Sequence, residues 1–210
     1  MNIQKTDIIA RIRTAIDDIV PGARDSFTAD TDAELWQAVF HSVQSLLEEA
    51  PLSLLKPQSM LTYIGGDASR RVTNQDGSGY ILMADDFLRF VSLRLAHWSR
   101  PVTTLTEPDS DEALRQSSRW GRGTPEKPRA MLDYDADGNL ILRYWTAAKE
   151  SSDYDHTLQA LNYIPKAMVG NDTVTCAMKD EAERMVIYRA ASIFFEGKKE
   201  PDTAEKFRNI

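Results

Sequence analysis

The sequence predicts an α+β protein: a helical bundle formed by N- and C-terminal helices, with an antiparallel β-rich insertion between them. Three observations carry that expectation. Apolar residues recur at three- and four-residue spacing near both ends of the chain. The middle is made of short apolar runs broken by Gly, Pro and Asn. At 210 residues, the chain is long for one simple domain and short for two, which favours one core with a substantial insertion. The expected divisions are 1–57 for the N-terminal helices, 58–170 for the insertion and 171–210 for a C-terminal helix and docking tail.

The first helix is expected over Thr6–Val20, where Ile8, Ile9, Ile12, Ile16, Ile19 and Val20 form one stripe and Pro21-Gly22 ends it. Thr31 and Glu34 have the spacing of a capping box, and the helix after them places Leu35, Val39, Val43, Leu46 and Leu47 on one side as far as Ala50. From Met60 the period changes. Met60–Ile64 and Arg70–Thr73 read as short strands, and Phe87–His97 is the strongest, with Val91, Leu93 and Leu95 alternating with Ser92, Arg94 and Ala96. The acidic stretch Glu107–Glu112 opens a short helix towards Ser118, and Trp120–Pro128 is a Gly/Pro-rich loop expected to be exposed and shaped. Arg129–Asp135 and Leu140–Thr146 flank Asp137-Gly138 as a hairpin, and Thr157–Ile164 adds a further strand. In the last third Ala182, Val186, Ala190, Ile193 and Phe194 share a helix face until Gly197, and Lys198–Ile210 reads as a tail.

Composition narrows the function. Apolar residues make up 42% and charged residues 27%, which is ordinary for a folded globular chain. The net charge of −7 argues against a DNA-coating role, because nonspecific binding needs a surplus of cations to displace counterions. The single cysteine, Cys176, cannot form an intramolecular disulfide and suits a reducing compartment. Charged residues interrupt the N-terminal apolar stretch at Lys5, Asp7, Arg11, Arg13, Asp17 and Asp18, so it reads as neither a signal peptide nor a spanning segment.

No motif points to catalysis, a cofactor or a metal. Asp133, Asp135, Asp137 and Gly138 copy the first half of a calcium loop, but the twelfth position is Tyr144 instead of Glu, which favours the hairpin. His41, His97 and His156 lie at no metal-ligand spacing. Gly65-Gly66 and Gly77-Ser-Gly79 lack the Lys-Ser/Thr of a phosphate cradle. Cys176 stands without a neighbouring His or Lys and is expected to be inert. Asp153, Asp155 and His156 could supply a base and its orienter. A small hydrolase built on them is one alternative function, tested by alanine at all three positions, which should abolish turnover and leave assembly alone.

Tryptophan is more informative, since it is enriched at interfaces. Trp120 sits in the open loop, where it either anchors a partner or folds back over the sheet. The candidate interface residues are Trp120, Arg122 and Lys127 in this loop and Lys198, Lys199, Phe207 and Arg208 in the tail. Phe207 is expected to enter a partner's pocket, and truncation after Gly197 to leave a folded monomer that no longer docks.

Several stretches together resemble a known family: Ala84-Asp-Asp-Phe-Leu-Arg-Phe-Val-Ser-Leu-Arg94, Trp98-Ser-Arg-Pro-Val102, Gly123-Thr-Pro-Glu-Lys-Pro128, Asn162-Tyr-Ile-Pro165 and Tyr188-Arg-Ala-Ala191. With the order of elements, they make the chain similar to the head-to-tail connector (adaptor or ring) proteins of short-tailed bacteriophages, including those of crAss-like phages. The resemblance implies a noncatalytic virion protein at the head–tail vertex, assembled in the host bacterial cytoplasm. Its implied partners are further copies of itself in a ring, typically of twelve, the portal protein, and the next tail or ring protein, with no membrane and no cofactor. DNA would pass through the ring without specific binding, which the acidic total suits. A second alternative is an assembly scaffold or chaperone that is not retained in the particle.

Overall fold

The computed structural model describes residues 1–22, 29–65, 70–74, 77–118, 120–145 and 157–209. The protein is mixed α+β, with helices towards both ends and an antiparallel β-rich middle. It folds as two compact units, Met1–Lys56 with Ile164–Ile210, and Pro57–Tyr163.

The terminal unit is built on helices. Helix α1 (Lys5–Ile19) buries Ile8, Ile9, Ile12 and Ile16, as its stripe requires. It ends where the Gly22 N–H donates to Asp17 Oδ1 (3.2 Å) and Gly22 takes φ +84°, a left-handed conformation that glycine adopts without a Cβ penalty. Helix α2 (Ala29–Glu49) begins before the expected cap, so Thr31 lies buried in its first turn and Asp30 and Asp32 supply the acidic residues there. Its face of Leu35, Val39, Val43, Leu46 and Leu47 is fully in the core.

A small sheet completes this unit. Strand β1 (Asn2–Gln4) pairs with β10 (Thr173–Thr175), which pairs with β9 (Met168–Val169), all antiparallel, with Ile3 opposite Val174 and Val174 opposite Val169. Strands of two or three residues show no alternation to read, which is why the sequence gives no sign of them. Their pairing also draws the segment after Ile164 into the terminal unit, so the β-rich unit ends at Tyr163 where the sequence suggested 170.

Helix α5 (Glu183–Gly197) is the hub, packed against α1, α2 and α6 (Pro201–Arg208). The Ser42 hydroxyl donates to the Val186 carbonyl (3.1 Å) inside the α2–α5 contact. Arg11 pairs with Glu183 (2.7 Å) and Arg189 with Glu49 (2.9 Å). The expected tail is therefore a helix. Its turn is a Schellman closure: the Glu200 N–H donates to Phe195 O (2.9 Å) and the Lys199 N–H to Glu196 O (3.0 Å). Lys199 occupies the left-handed position with φ +62°, while Gly197 remains inside α5.

The second unit holds two sheets around one core. One has the order β2 (Gln58–Ser59), β8 (Leu158–Pro165), β5 (Phe87–Leu95). The other runs β3 (Arg71–Thr73), β4 (Gly79–Leu82), β7 (Leu140–Trp145), β6 (Arg129–Tyr134). Both supply the same buried cluster, with Leu93, Leu95 and Leu161 from the first and Ile81, Ala130, Leu142 and Tyr144 from the second, closed by Trp98. Gly79 lies under Tyr144, where a Cβ would stand 2.3 Å from the phenol oxygen.

Met60–Ile64, expected as a strand, is instead mostly helix α3 (Leu61–Gly65). Met60 and Ile64 are four apart and both buried, so one helical turn satisfies them as well as a strand would. The hairpin is as expected: β6 and β7 pair over six residues, Arg129 opposite Trp145 through Tyr134 opposite Leu140. Gly138 takes φ +83° in the turn.

Candidate functional site

Two surfaces stand out, one on each unit. The first is the loop after β5, built on the short helix α4 (Asp111–Arg115), which Ser110 caps by accepting from the Ala113 N–H (3.2 Å). Glu112 pairs with Arg129 on β6 (2.5 Å). At the end of α4 the Gln116 side chain turns inward and is 2% exposed. Its Nε2 donates to Glu112 O (2.9 Å) and towards Gly121 O (3.4 Å), and its Oε1 accepts from the buried Gly123 N–H (2.9 Å). Arg122 Nε donates to the Gln116 carbonyl (3.0 Å). One amide thus closes the loop on itself.

Gly121 and Gly123 allow this closeness. A Cβ on Gly121 would lie 2.7 Å from Arg115 O, and one on Gly123 2.9 Å from both Arg129 N and Trp145 O. Beyond them Thr124 and Lys127 exchange backbone hydrogen bonds, and Pro125 O accepts from the Ser99 N–H (3.0 Å). The Gly/Pro-rich stretch is a pinned structure.

What it presents is Trp120, 96% exposed. The chain's other three tryptophans are covered or partly covered: Trp98 and Trp36 are buried and Trp145 is half-buried. Of the two readings of Trp120, folding back over the sheet is excluded by this exposure. Leu114, on the same loop, is 69% exposed. Arg122 is half-buried and braces the loop, whereas Lys127 is exposed at its turn.

The second surface is a groove of about 820 Å³ along α5. Leu46, Ser192 and Phe207 lie buried at its floor, and Arg184, Met185, Tyr188 and Arg208 stand around it. Arg184 lies over the Tyr188 ring, 5.3 Å from its centroid. Arg189 donates to Ser45 Oγ (2.5 Å), and Arg208 is paired with Glu196. Sequence reading missed this face, although Arg184, Met185, Tyr188, Ser192 and Glu196 recur at helical spacing as a second stripe on α5.

The tail residues separate. Phe207 is 2% exposed and stacks on Phe195 with ring centroids 5.5 Å apart. It fills a site in its own chain, so the expectation that it enters a partner is corrected. The reason is local: Pro201 starts a helix whose apolar residues, Ala204 and Phe207, face α5. Lys198 pairs with Glu34 (2.5 Å) and lies over Phe194. Lys199 is exposed at the turn, and Arg208 borders the groove whose floor Phe207 helps to form.

The acidic hairpin serves structure. Asp135 Oδ1 accepts from the Asp137 and Asn139 N–H groups (2.9 and 2.8 Å), and Oδ2 from Asn139 Nδ2 (2.9 Å). The Asn139 side chain, foremost, holds the Asp135 carboxyl below its ordinary pKa. Asp133 pairs with Arg143 (2.8 Å). Among the described residues no group of three or more His, Cys, Asp and Glu is arranged to hold a metal ion. Cys176 follows β10, and burial pushes its thiol pKa up. Asp153, Asp155 and His156, the alternative hydrolase residues, lie outside the described residues. Among the described residues no helix is long and apolar enough to cross a membrane.

No protein-family model and no curated protein matches this sequence.

Proposed function

We propose that this chain is a noncatalytic ring subunit of a phage head-to-tail connector. It would join the portal to the next tail component and form part of the wall of the DNA conduit. The observation that carries this reading is Trp120, held in full solvent exposure by a loop whose backbone is fixed by a buried amide. Leaving a large indole in water forgoes the transfer free energy of roughly 150–250 Å² of ring surface. Fixing the loop beforehand reduces the ordering entropy that binding would otherwise cost. An exposed aromatic on a hydrogen-bonded loop is therefore suited to anchoring a partner, and aromatic anchors dominate interface energetics. The net charge of −7 suits a wall along which DNA must slide.

The test is the composition of purified particles of the phage that encodes the chain. The expected result is this protein retained in the virion, in equal number with the portal subunits. Its absence from purified particles, with presence in assembling heads, would transfer the role to a scaffold or chaperone.

A further inference from the structure

We infer that helix α6 is exchanged between copies of this chain: two unassembled molecules form a reciprocal dimer in which each seats its α6 on the α5 of the other. The inference concerns the unassembled protein and does not rest on the ring reading. It is carried by the turn between the two helices, which is short, exposed and held in a conformation that its residues disfavour.

Three residues, Lys198, Lys199 and Glu200, join α5 to α6, and all three are exposed. Lys199 holds φ +62°, where the Cβ of an L-residue crowds the following carbonyl. Glu200 stands before Pro201, whose ring pushes the preceding residue towards fully extended backbone. In the turn Glu200 has φ −112° and ψ 68°, short of that region. Both residues are therefore relieved when the turn opens into an extended segment. Opening breaks two hydrogen bonds, from the Lys199 N–H to Glu196 O and from the Glu200 N–H to Phe195 O. Their donors belong to exposed residues, so water takes over as acceptor. Lys198 stays tied to Glu34 on α2 (2.5 Å), which leaves Lys199 and Glu200 as the hinge.

The place that α6 occupies now defines what it needs elsewhere. Ala204 and Phe207 are buried, Phe207 stacks on Phe195, and Arg208 pairs with Glu196. A second copy offers the same site, so exchange restores each of these contacts. A helix of eight residues is too short to persist alone in water, so an opened α6 must seat again. With the contacts equal in monomer and dimer, the hinge and the concentration set the balance. The closed hinge favours exchange, and the freedom lost on association favours the monomer. Short hinges under strain are the setting in which identical chains swap elements.

The experiment uses the full-length wild type, Lys199→Gly, and two charge variants at exposed positions, Arg208→Glu and Glu196→Arg. Thermal melting first establishes that each is folded. Each is equilibrated just below its melting midpoint and then followed by sedimentation over a concentration series. The wild type should show a monomer–dimer equilibrium. Glycine adopts the left-handed turn without a Cβ penalty, so Lys199→Gly should dimerise at least tenfold more weakly, two hinges being relieved in the monomers. Each charge variant alone sets like charges together whether α6 is closed or exchanged, so its dimerisation should match the wild type. Mixed at low salt, the two variants should form a heterodimer about tenfold in preference to either homodimer, because exchange between them sets opposite charges together at both sites. A wild type that is monomeric at all concentrations, a Lys199→Gly that dimerises like the wild type, or a mixture with no preference for the heterodimer would each overturn the exchange. None of these results touches the ring reading, which is decided by the particle composition above.

Discussion

Gln116 does more for the exposed loop than any other side chain. Its amide satisfies the Gly123 N–H and a carbonyl of α4 in a setting closed to water. Gln116→Ala leaves that buried N–H without a partner, at a cost of roughly 1–3 kcal/mol. The expected outcome is a lower melting temperature and faster proteolysis within 116–123. Tyr163 supplies a pH test in the same unit. Burial, and then the hydrogen bond to Asp86 (2.9 Å), push its pKa up to about 12, from an ordinary value of about 10. The folded state thus favours the neutral phenol. That contribution is complete below about pH 10 and is lost as pH rises through about 12. Unfolding midpoints measured across this window should fall less steeply in Tyr163→Phe than in the wild type.

At the scale of elements, the turn between α5 and α6 places a lysine where glycine is usual. A left-handed L-residue costs roughly 1–2 kcal/mol. Lys199→Gly should therefore raise the unfolding free energy by about 1 kcal/mol, a gain reduced by the greater freedom of glycine in the unfolded chain. Phe207→Ala should lower it by about 3–5 kcal/mol, the range for truncating a buried aromatic. Truncation after Gly197 should likewise destabilise the terminal unit, by stripping Phe207 from Phe195; a truncated chain with the wild-type melting temperature would contradict this packing. These elements also show what local pattern can reveal. The stripes of α1, α2 and α5 and the Asp137-Gly138 hairpin were readable because their signals are local and repeated. Helix α6 was hidden, since eight residues with two buried apolar side chains carry little periodicity, and Gly197 reads as the end of structure although Lys199 makes the turn. The strand assigned to Met60–Ile64 failed because two buried residues four apart fit either period.

For the whole molecule, the α+β class with helices at both ends followed from where the hydrophobic period changes along the chain. The groove did not, because it joins residues of α2, α5 and α6 that are far apart in sequence. The composition of the Trp120 loop was legible, but its internal hydrogen bonding was not: a lone glutamine among polar neighbours gives no sign that it will be buried. On the proposed reading, this protein is a ring subunit that presents one exposed aromatic anchor on a hydrogen-bonded loop. Electron cryomicroscopy of the full-length protein assembled with its portal tests that most directly. The predicted result is a closed ring on the portal, with Trp120 covered by another polypeptide. A ring in which Trp120 faces open solvent, or a protein that forms no ring with the portal, would contradict it.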